Sequence, residues 1–201
     1  MTPFTELTAP AIPLPLANVD TDQLIPARFM TRPRSAGYGG VLLHDMRAAA
    51  DGPARAFDAP ERRGAGIVVA QRNFGCGSSR EAAVYALVDF GIRCVIAPSF
   101  GDIFASNAVN NGLLPAQLGE AEVEALLAAL DLGLVDLSVD LQAMEIRAGA
   151  HHFTYVVDPV WRQKLLNGWD DLDLTLAHAV EIAAFAEADA RCRPWATPAS
   201  P

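Results

Sequence analysis

Residues 66–97 alternate between strand and helix patterns, and this alternation constrains the fold more than any other feature of the chain. A short apolar run rich in β-branched residues, 66–70, is typical of a buried strand. A glycine-rich turn follows it, and then apolar side chains at helical spacing up to Gly91, a residue suited to ending a helix. A second apolar run, 92–97, stops at Pro98. Strand, helix and strand in this order predict a parallel crossover unit.

The rest of the chain extends this unit into an α/β fold with a mixed sheet, which we expect to be a single domain over residues 1–201. Segment 31–66 is rich in Gly, Pro, Ala and Arg, has little periodicity and predicts a long irregular loop, either functional or a solvated surface excursion. Residues 191–201 predict a frayed tail. Further patterns predict helices at 101–111, 119–130, 159–167 and 177–190, and strands at 113–118, 134–140, 143–148 and 152–158.

Composition excludes several classes of function. The chain has 15 basic and 24 acidic side chains, a net charge of −9, which argues against nucleic-acid binding. No apolar run approaches the ~20 residues of a membrane span, and the N-terminus lacks the pattern of a signal peptide, so we expect a cytoplasmic protein. The three cysteines are widely spaced, so we expect neither a disulfide scaffold nor a zinc or iron–sulfur site held by this chain alone.

The turn between the first strand and the helix, residues 75–81, has the composition of an anion site. Its glycines allow a tight turn, two hydroxyls follow, and Arg80 is suited to gripping a carboxylate. Ser78 and Glu81 have the spacing of a helix capping box, which would leave helix N–H groups facing an anion. The alternative is that Ser78 only caps the helix and Arg80 lies on the surface.

Known glycine motifs do not match this turn. A dinucleotide fingerprint needs glycine where Arg80 stands, and a hydrolase nucleophile elbow needs glycines that the turn lacks. A phosphate-binding Walker loop is absent from the sequence. The histidines, His44, His151, His152 and His178, show no catalytic spacing, and we interpret them as surface or packing residues.

Two further segments contain clustered polar residues. In an extended chain Asn18, Asp20 and Asp22 share one face, which suggests either an oxygen-ligand site or turn capping. A Pro-Ser-Phe-Gly-Asp segment at 98–102 precedes a helix that contains Asn107, Asn110 and Asn111. These asparagines either brace the site or serve as caps and turns.

Four blocks of sequence run in one order from Asn18 to Leu176. They are NVDTDQLIPARF, RNFGCGSSREAA, VIAPSFGDIFASNAVNNGLLP and LLNGWDDLDLTL. In this order they resemble the small subunits of 3-isopropylmalate dehydratase, also called isopropylmalate isomerase, a family of the aconitase superfamily. The resemblance covers nearly the whole chain and implies a swivelling β/β/α domain.

The resemblance also implies a function. The chain would belong to a hydro-lyase of leucine biosynthesis that isomerises 2-isopropylmalate and 3-isopropylmalate through isopropylmaleate. Its partner would be a large subunit that carries a [4Fe–4S] cluster, in a heterodimer or larger complex, and this chain would bind no metal. Two alternatives remain: a related hydratase acting on 2-methylmalate, citraconate or a similar hydroxy diacid, and a non-catalytic binding partner that has kept the fold.

Residue roles carried over from the family concentrate in the glycine-rich turn. Ser78 would be the base, as an alkoxide, while Gly77, Ser79 and Arg80 would bind substrate. The region that selects the substrate's side group would include Leu42, Leu43 and Met46. Ala82 stands where many relatives carry histidine, and Met46 lies near the place of a frequent aromatic residue, so the identity of the diacid stays open.

Overall fold

The computed structural model of the chain describes residues 1–49 and 52–196. Its seven strands form one mixed sheet in the order β4-β3-β2-β1-β5-β6-β7. Strands β1 to β4 are parallel to one another, and β5 to β7 form an antiparallel extension. The strands are β1 (Glu6–Leu14), β2 (Ile67–Ala70), β3 (Cys94–Ala97), β4 (Leu114–Gln117), β5 (Asp136–Asp140), β6 (Glu145–Ala148) and β7 (His151–Thr154).

The helices lie between and after these strands. They are α1 (Thr21–Leu24), α2 (His44–Arg47), α3 (Glu81–Phe90), α4 (Asp102–Asn110), α5 (Glu120–Asp131), α6 (Pro159–Asn167), α7 (Asp171–Leu176) and α8 (Ala179–Cys192). The predicted crossover unit is confirmed as β2–α3–β3, and Gly91 ends α3 in a left-handed conformation. Within the described residues no helix is long and apolar enough to cross a membrane.

Strand β1 is central in the sheet, and sequence patterns did not predict it because it contains Pro10 and Pro13. The strand changes neighbour part-way along: residues 6–10 pair with β5 and residues 11–14 pair with β2. The Ala11 N–H faces the β5 side of the strand and donates to Val135 O at 2.8 Å. Pro13 lies two residues later, so its nitrogen faces the same side, where the pairing with β5 has already ended. The sheet therefore tolerates these prolines where a neighbouring strand has ended or not yet begun.

Alternating side chains of the parallel strands bury two apolar clusters, one on each face of the sheet. Val68 and Ala70 of β2 belong to the first cluster, together with side chains of α1, α3 and the 38–57 segment. Ile67 and Val69 belong to the second, with α5 and the antiparallel strands. Continuous burial of all four β2 residues is the pattern of a strand covered on both faces.

Arg62 joins β1 to the end of α5 and to the turn that leads into β5. Its guanidinium is buried and donates to the carbonyl oxygens of Ala11 and Leu134 at 2.8 Å and of Leu130 at 3.0 Å. These carbonyls belong to β1 and to the end of α5 with its following turn. Arg62 therefore holds β1 at the position where its sheet partner changes.

Several predicted boundaries differ from the structure. Segment 31–66 is a series of short helical turns, including α2, instead of an irregular loop, with residues 50–51 outside the described part. The predicted tail begins too early, since α8 continues to Cys192 and a 3-10 turn covers Pro194–Ala196; residues 197–201 lie outside the described residues. Helix α7 was not predicted because it has only six residues.

Candidate active site

The segments that follow β1 and β2 meet at the carboxyl edge of the parallel strands, where α/β folds usually bind ligands. The Gly75 N–H donates to Val19 O at 2.7 Å, and the Thr21 N–H donates to Cys76 O at 3.0 Å. The glycine-rich turn is thus hydrogen-bonded along its length to the first motif segment.

Close packing explains the glycines of this region. A Cβ atom on Gly75 would lie 2.1 Å from Cγ of Phe104, and one on Gly101 would lie 2.6 Å from the Gly75 carbonyl oxygen. The segment after β3 also bonds to the turn, since the Gly101 N–H donates to Phe74 O at 2.9 Å. Gly77 adopts a φ of 88° with more space around it, so its requirement is conformational.

Ser78 and Ser79 are both exposed at the start of this site. The Thr21 hydroxyl donates to the Ser78 carbonyl oxygen at 2.7 Å, which fixes the serine backbone. Within the described residues neither serine hydroxyl makes a hydrogen bond to protein, so both are available to a ligand.

The predicted capping box at Ser78 is wrong. Helix α3 begins only at Glu81, its N-cap residue is Arg80, and no side chain among the described residues caps it. Glu81 has other partners, because its carboxylate accepts a 3.0 Å hydrogen bond from the Asn111 side chain. Ser78 therefore lies in the turn before the helix, with its hydroxyl not engaged in capping.

Arg80 is half-buried and forms an ion pair with Asp22 through Nη1 and Oδ1. Asp22 lies in α1, directly after Thr21, so one short helix positions both the Ser78 carbonyl and the Arg80 guanidinium. A guanidinium has five donors, and a pair made through one nitrogen leaves further donors for a second carboxylate. The geometry therefore suits Arg80 to gripping an anionic ligand while it is aligned by Asp22.

Asn18, Asp20 and Asp22 have separate roles, of which the ion pair of Asp22 with Arg80 is one. The prediction that they share one face of an extended chain is wrong, because α1 begins at Thr21. Asp20 caps α1, accepting from the Gln23 N–H at 2.7 Å, as the capping interpretation predicted. Asn18 accepts a 2.8 Å hydrogen bond from the Asn73 side chain. Within the described residues no group of His, Cys, Asp or Glu side chains is suited to hold a metal ion.

These segments surround a pocket of about 310 Å³. It is lined by Thr21, Asn73, residues 75–80 and residues 101–104. Clefts of about 560 Å³ beside Arg47 and about 540 Å³ beside Arg72 are larger. We place the site in the smaller pocket because exposed hydroxyls, a guanidinium and a glycine turn converge there.

The residues expected to select the substrate are not part of this pocket. Leu42 and Leu43 are fully buried in the first apolar cluster, and Met46 is packed against that cluster, so the structure does not bring them to the lining. Their segment is fastened to α3, since Asp89 accepts from Arg34 at 2.6 and 2.8 Å and pairs with it. In this chain the two leucines fix the shape of the segment.

The cysteines lie in three different environments. Cys76 is half-buried in the pocket lining, Cys192 is exposed at the end of α8, and Cys94 is buried in β3. Burial raises the pKa of the Cys94 thiol far above its usual range. The separation of the three residues provides no donor set for an iron–sulfur cluster within the described part of this chain.

This chain is similar to known proteins over nearly its full length. The model of the aconitase C-terminal domain family matches residues 1–121. A 3-isopropylmalate dehydratase small subunit from Rhodospirillum centenum is 45% identical over 98% of this chain and 99% of its own length. That from Shouchella clausii is 42% identical over 92% of this chain and 95% of its own.

The chain belongs to the family of 3-isopropylmalate dehydratase small subunits. Dehydratases are hydro-lyases, so this is a family of enzyme subunits in leucine biosynthesis. The solved structure of a 3-isopropylmalate dehydratase from Methanocaldococcus jannaschii, 24% identical, has the same fold with a TM-score of 0.65, covering 89% of this chain and 98% of its own. The predicted fold class and family are therefore confirmed.

The sequence did not predict that Thr21 and Asp22 bind residues of the glycine-rich turn, although it suggested Asp22 as a possible oxygen ligand. Thr21 and Asp22 lie about 57 positions before their partners Ser78 and Arg80, and no local pattern reports a pairing at that separation. The only available signal was the presence of several polar residues in one short segment. Asn111, in contrast, does brace the site region, because it links α4 to the first turn of α3.

Proposed function

We propose that this chain is the small subunit of a hydro-lyase that interconverts 2-isopropylmalate and 3-isopropylmalate through isopropylmaleate. The observation that supports it best is the pocket at the carboxyl edge, where the Ser78 and Ser79 hydroxyls and the Arg80 guanidinium converge. Full-length similarity to small subunits supports the same assignment. The whole chain, residues 1–201, acts in this proposal as one swivel domain.

Ser78 Oγ acts as the base in this proposal. As an alkoxide it removes the proton bound to carbon, the electron pair of that C–H bond forms the double bond, and hydroxide leaves the neighbouring carbon. Hydroxide then adds at the carbon that lost its proton, and Ser78 Oγ returns the proton to the carbon that lost hydroxide, which restores the alkoxide. The backbone around Ser78 is fixed by Thr21, which is the positional precision that proton transfer requires.

Substrate binding falls to the residues around the base. Arg80, aligned by Asp22, grips one carboxylate of the diacid through charge-assisted hydrogen bonds. Ser79 donates a hydrogen bond from its exposed hydroxyl, and Gly77 lets the chain turn closely around the ligand. The pocket volume of about 310 Å³ is at the lower end of the range for small-molecule sites.

The site as formed by this chain is open, and we propose that a large subunit completes it. The described residues of this chain do not fit an iron–sulfur cluster, so the [4Fe–4S] cluster implied by the family resemblance is assigned to that partner. We place the complex in the cytoplasm, where free thiols such as the three cysteines here stay reduced.

The test is anaerobic reconstitution of the chain with its cognate large subunit. Formation of the unsaturated diacid, which is isopropylmaleate from either isopropylmalate and citraconate from 2-methylmalate, is followed by its absorbance, with 2-isopropylmalate, 3-isopropylmalate and 2-methylmalate as substrates. Turnover of both isopropylmalates, requiring both chains, is expected. Turnover of 2-methylmalate alone would show that the enzyme acts on a smaller diacid than isopropylmalate. An assembled, cluster-loaded complex without any turnover would instead support a binding partner that has kept the fold.

A further inference from the structure

The C-terminal arm, residues 171–196, consists of α7, α8 and the final turn, and it is attached to the body at its base. Lys164 of α6 is almost fully buried, donates to Asp171 Oδ1 at 2.5 Å and also contacts the Asn110 side chain of α4. The N-terminal ammonium donates to the Gly168 carbonyl oxygen at 2.7 Å just before the arm. The start of the arm is therefore held in place.

Beyond its base, the arm lies open to solvent. None of the described residues of α7 or α8 is buried. An isolated helix of fourteen residues is marginal in water, so α8 needs a covering surface to be stably helical. Its two pairs of opposite charge, Glu187 with Arg191 and Asp189 with Arg193, add only tenths of a kcal/mol each.

Large apolar side chains are concentrated on this arm. Of the eleven large apolar side chains that are exposed among the described residues, six lie here: Leu172, Leu176, Val180, Ile182, Phe185 and Trp195. Phe185 is 70% exposed and Trp195 is 79% exposed. An aromatic side chain buries about 150–250 Å² when covered, so the six supply a large part of the ~800 Å² per partner of a standard interface.

The charge of the arm indicates whether it binds a second copy of this chain or a different protein. The arm has five carboxylates, Asp171, Asp173, Glu181, Glu187 and Asp189, against two guanidiniums, Arg191 and Arg193. Two copies meeting through this surface would bring like charges together, which disfavours a homodimer. A partner with an apolar groove bordered by basic side chains is complementary to it.

We propose that the C-terminal arm is the docking element through which this small subunit binds its large subunit, in an apolar groove with a basic rim. The proposal rests on the proposed function, because it takes the large subunit as the partner. Ile182 and Phe185, three positions apart, lie on one side of α8 and would enter the groove. Docking by the arm engages none of the residues that line the Ser78 pocket.

The test compares two double variants of the full chain that add the same charge. Ile182→Glu with Phe185→Glu alters the apolar side of α8. Ala183→Glu with Ala184→Glu alters two positions that are not three or four residues from Ile182 or Phe185 and so do not share their side of the helix. All four positions are exposed, so both variants are expected to unfold at the temperature of the wild type. The affinity for the cluster-loaded large subunit is measured anaerobically by interferometry, and the mass of the chain alone by light scattering.

We expect the Ile182/Phe185 variant to bind the large subunit at least tenfold more weakly and the Ala183/Ala184 control to bind within about twofold of the wild type. At saturating small subunit, kcat should be unchanged in both. Equal affinity of both variants would overturn the docking proposal alone, since the wild type would still bind and activate. A wild-type homodimer that the apolar-side variant dissociates would also overturn it. A wild type that neither binds nor activates the large subunit would overturn the proposed function as well.

Discussion

The Thr21 hydroxyl donates a 2.7 Å hydrogen bond to the backbone carbonyl of Ser78, across 57 positions of sequence. The donor is buried in the first turn of α1, while the Ser78 side chain is exposed in the pocket. The buried hydroxyl of Thr21 thus fixes the backbone of Ser78, whose own hydroxyl is exposed. The position of Ser78 consequently depends on α1 as much as on its own turn.

Replacing Thr21 tests this dependence. Thr21→Val keeps the shape but removes the donor, and we expect kcat to fall at least about tenfold, because a misplacement of about 1 Å can cost ~10²-fold. Stability should fall by about 1–3 kcal/mol, since a part-buried carbonyl loses its partner. Thr21→Ser keeps the donor and should retain activity. Equal activity of the two variants, measured in the reconstituted enzyme, would contradict the positional role.

The ion pair between Asp22 and Arg80 predicts an effect on substrate binding. Arg80→Lys removes the guanidinium fork and should raise KM by about 10–100-fold, the equivalent of a charge-assisted hydrogen bond. Asp22→Asn should raise KM by up to ~5-fold and leave the melting temperature nearly unchanged, because Asp22 is half-exposed and such pairs contribute about 0–1 kcal/mol. Steady-state kinetics check both; an unchanged KM in Arg80→Lys would make Arg80 structural.

Buried Arg62 predicts a large effect on stability. Arg62→Met leaves the carbonyls of Ala11, Leu130 and Leu134 without their donor, and we expect a loss of about 3–5 kcal/mol in urea unfolding. The neighbouring Arg63 is exposed, so Arg63→Met serves as the control and should stay within about 0.5 kcal/mol of the wild type. Similar losses in the two variants would show that the buried hydrogen bonds matter little.

The three thiols should react in a fixed order. Exposed Cys192 should react first with a thiol reagent, half-buried Cys76 more slowly, and Cys94 only on unfolding, because burial both shields its thiol and raises its pKa. In a Cys192→Ser variant, labelling of Cys76 should inhibit the reconstituted enzyme because the label fills the pocket. Mass spectrometry gives the order; labelling of native Cys94 before Cys76 would contradict the burial argument.

Local sequence patterns predicted the parts of the fold that depend on local interactions. The β2–α3–β3 unit, helix α4 and helix α5 were predicted because apolar spacing indicates the buried side of each element, and Gly91 marks the end of α3. Strand β1 was missed because proline argues against a central strand, and only its change of partner makes Pro10 and Pro13 acceptable.

The candidate site was predictable only in part. The turn itself was visible in the sequence, but the predicted capping box was wrong because α3 begins only at Glu81 and its N-cap residue is Arg80. Long-range pairs such as Asp22 with Arg80 have no local signal. The burial of Leu42 likewise depends on packing against the sheet, which residue type alone does not specify.

The central claim is that Ser78 in the pocket supplies the base of a hydro-lyase. The most direct measurement is the kcat of Ser78→Ala, assembled with the cluster-loaded large subunit, beside Ser79→Ala as the neighbouring hydroxyl. We expect Ser78→Ala to bind the large subunit and 2-isopropylmalate normally while kcat falls by ~10²–10⁴-fold, the range for loss of a general base. Turnover by Ser78→Ala within about tenfold of the wild type would contradict the assignment.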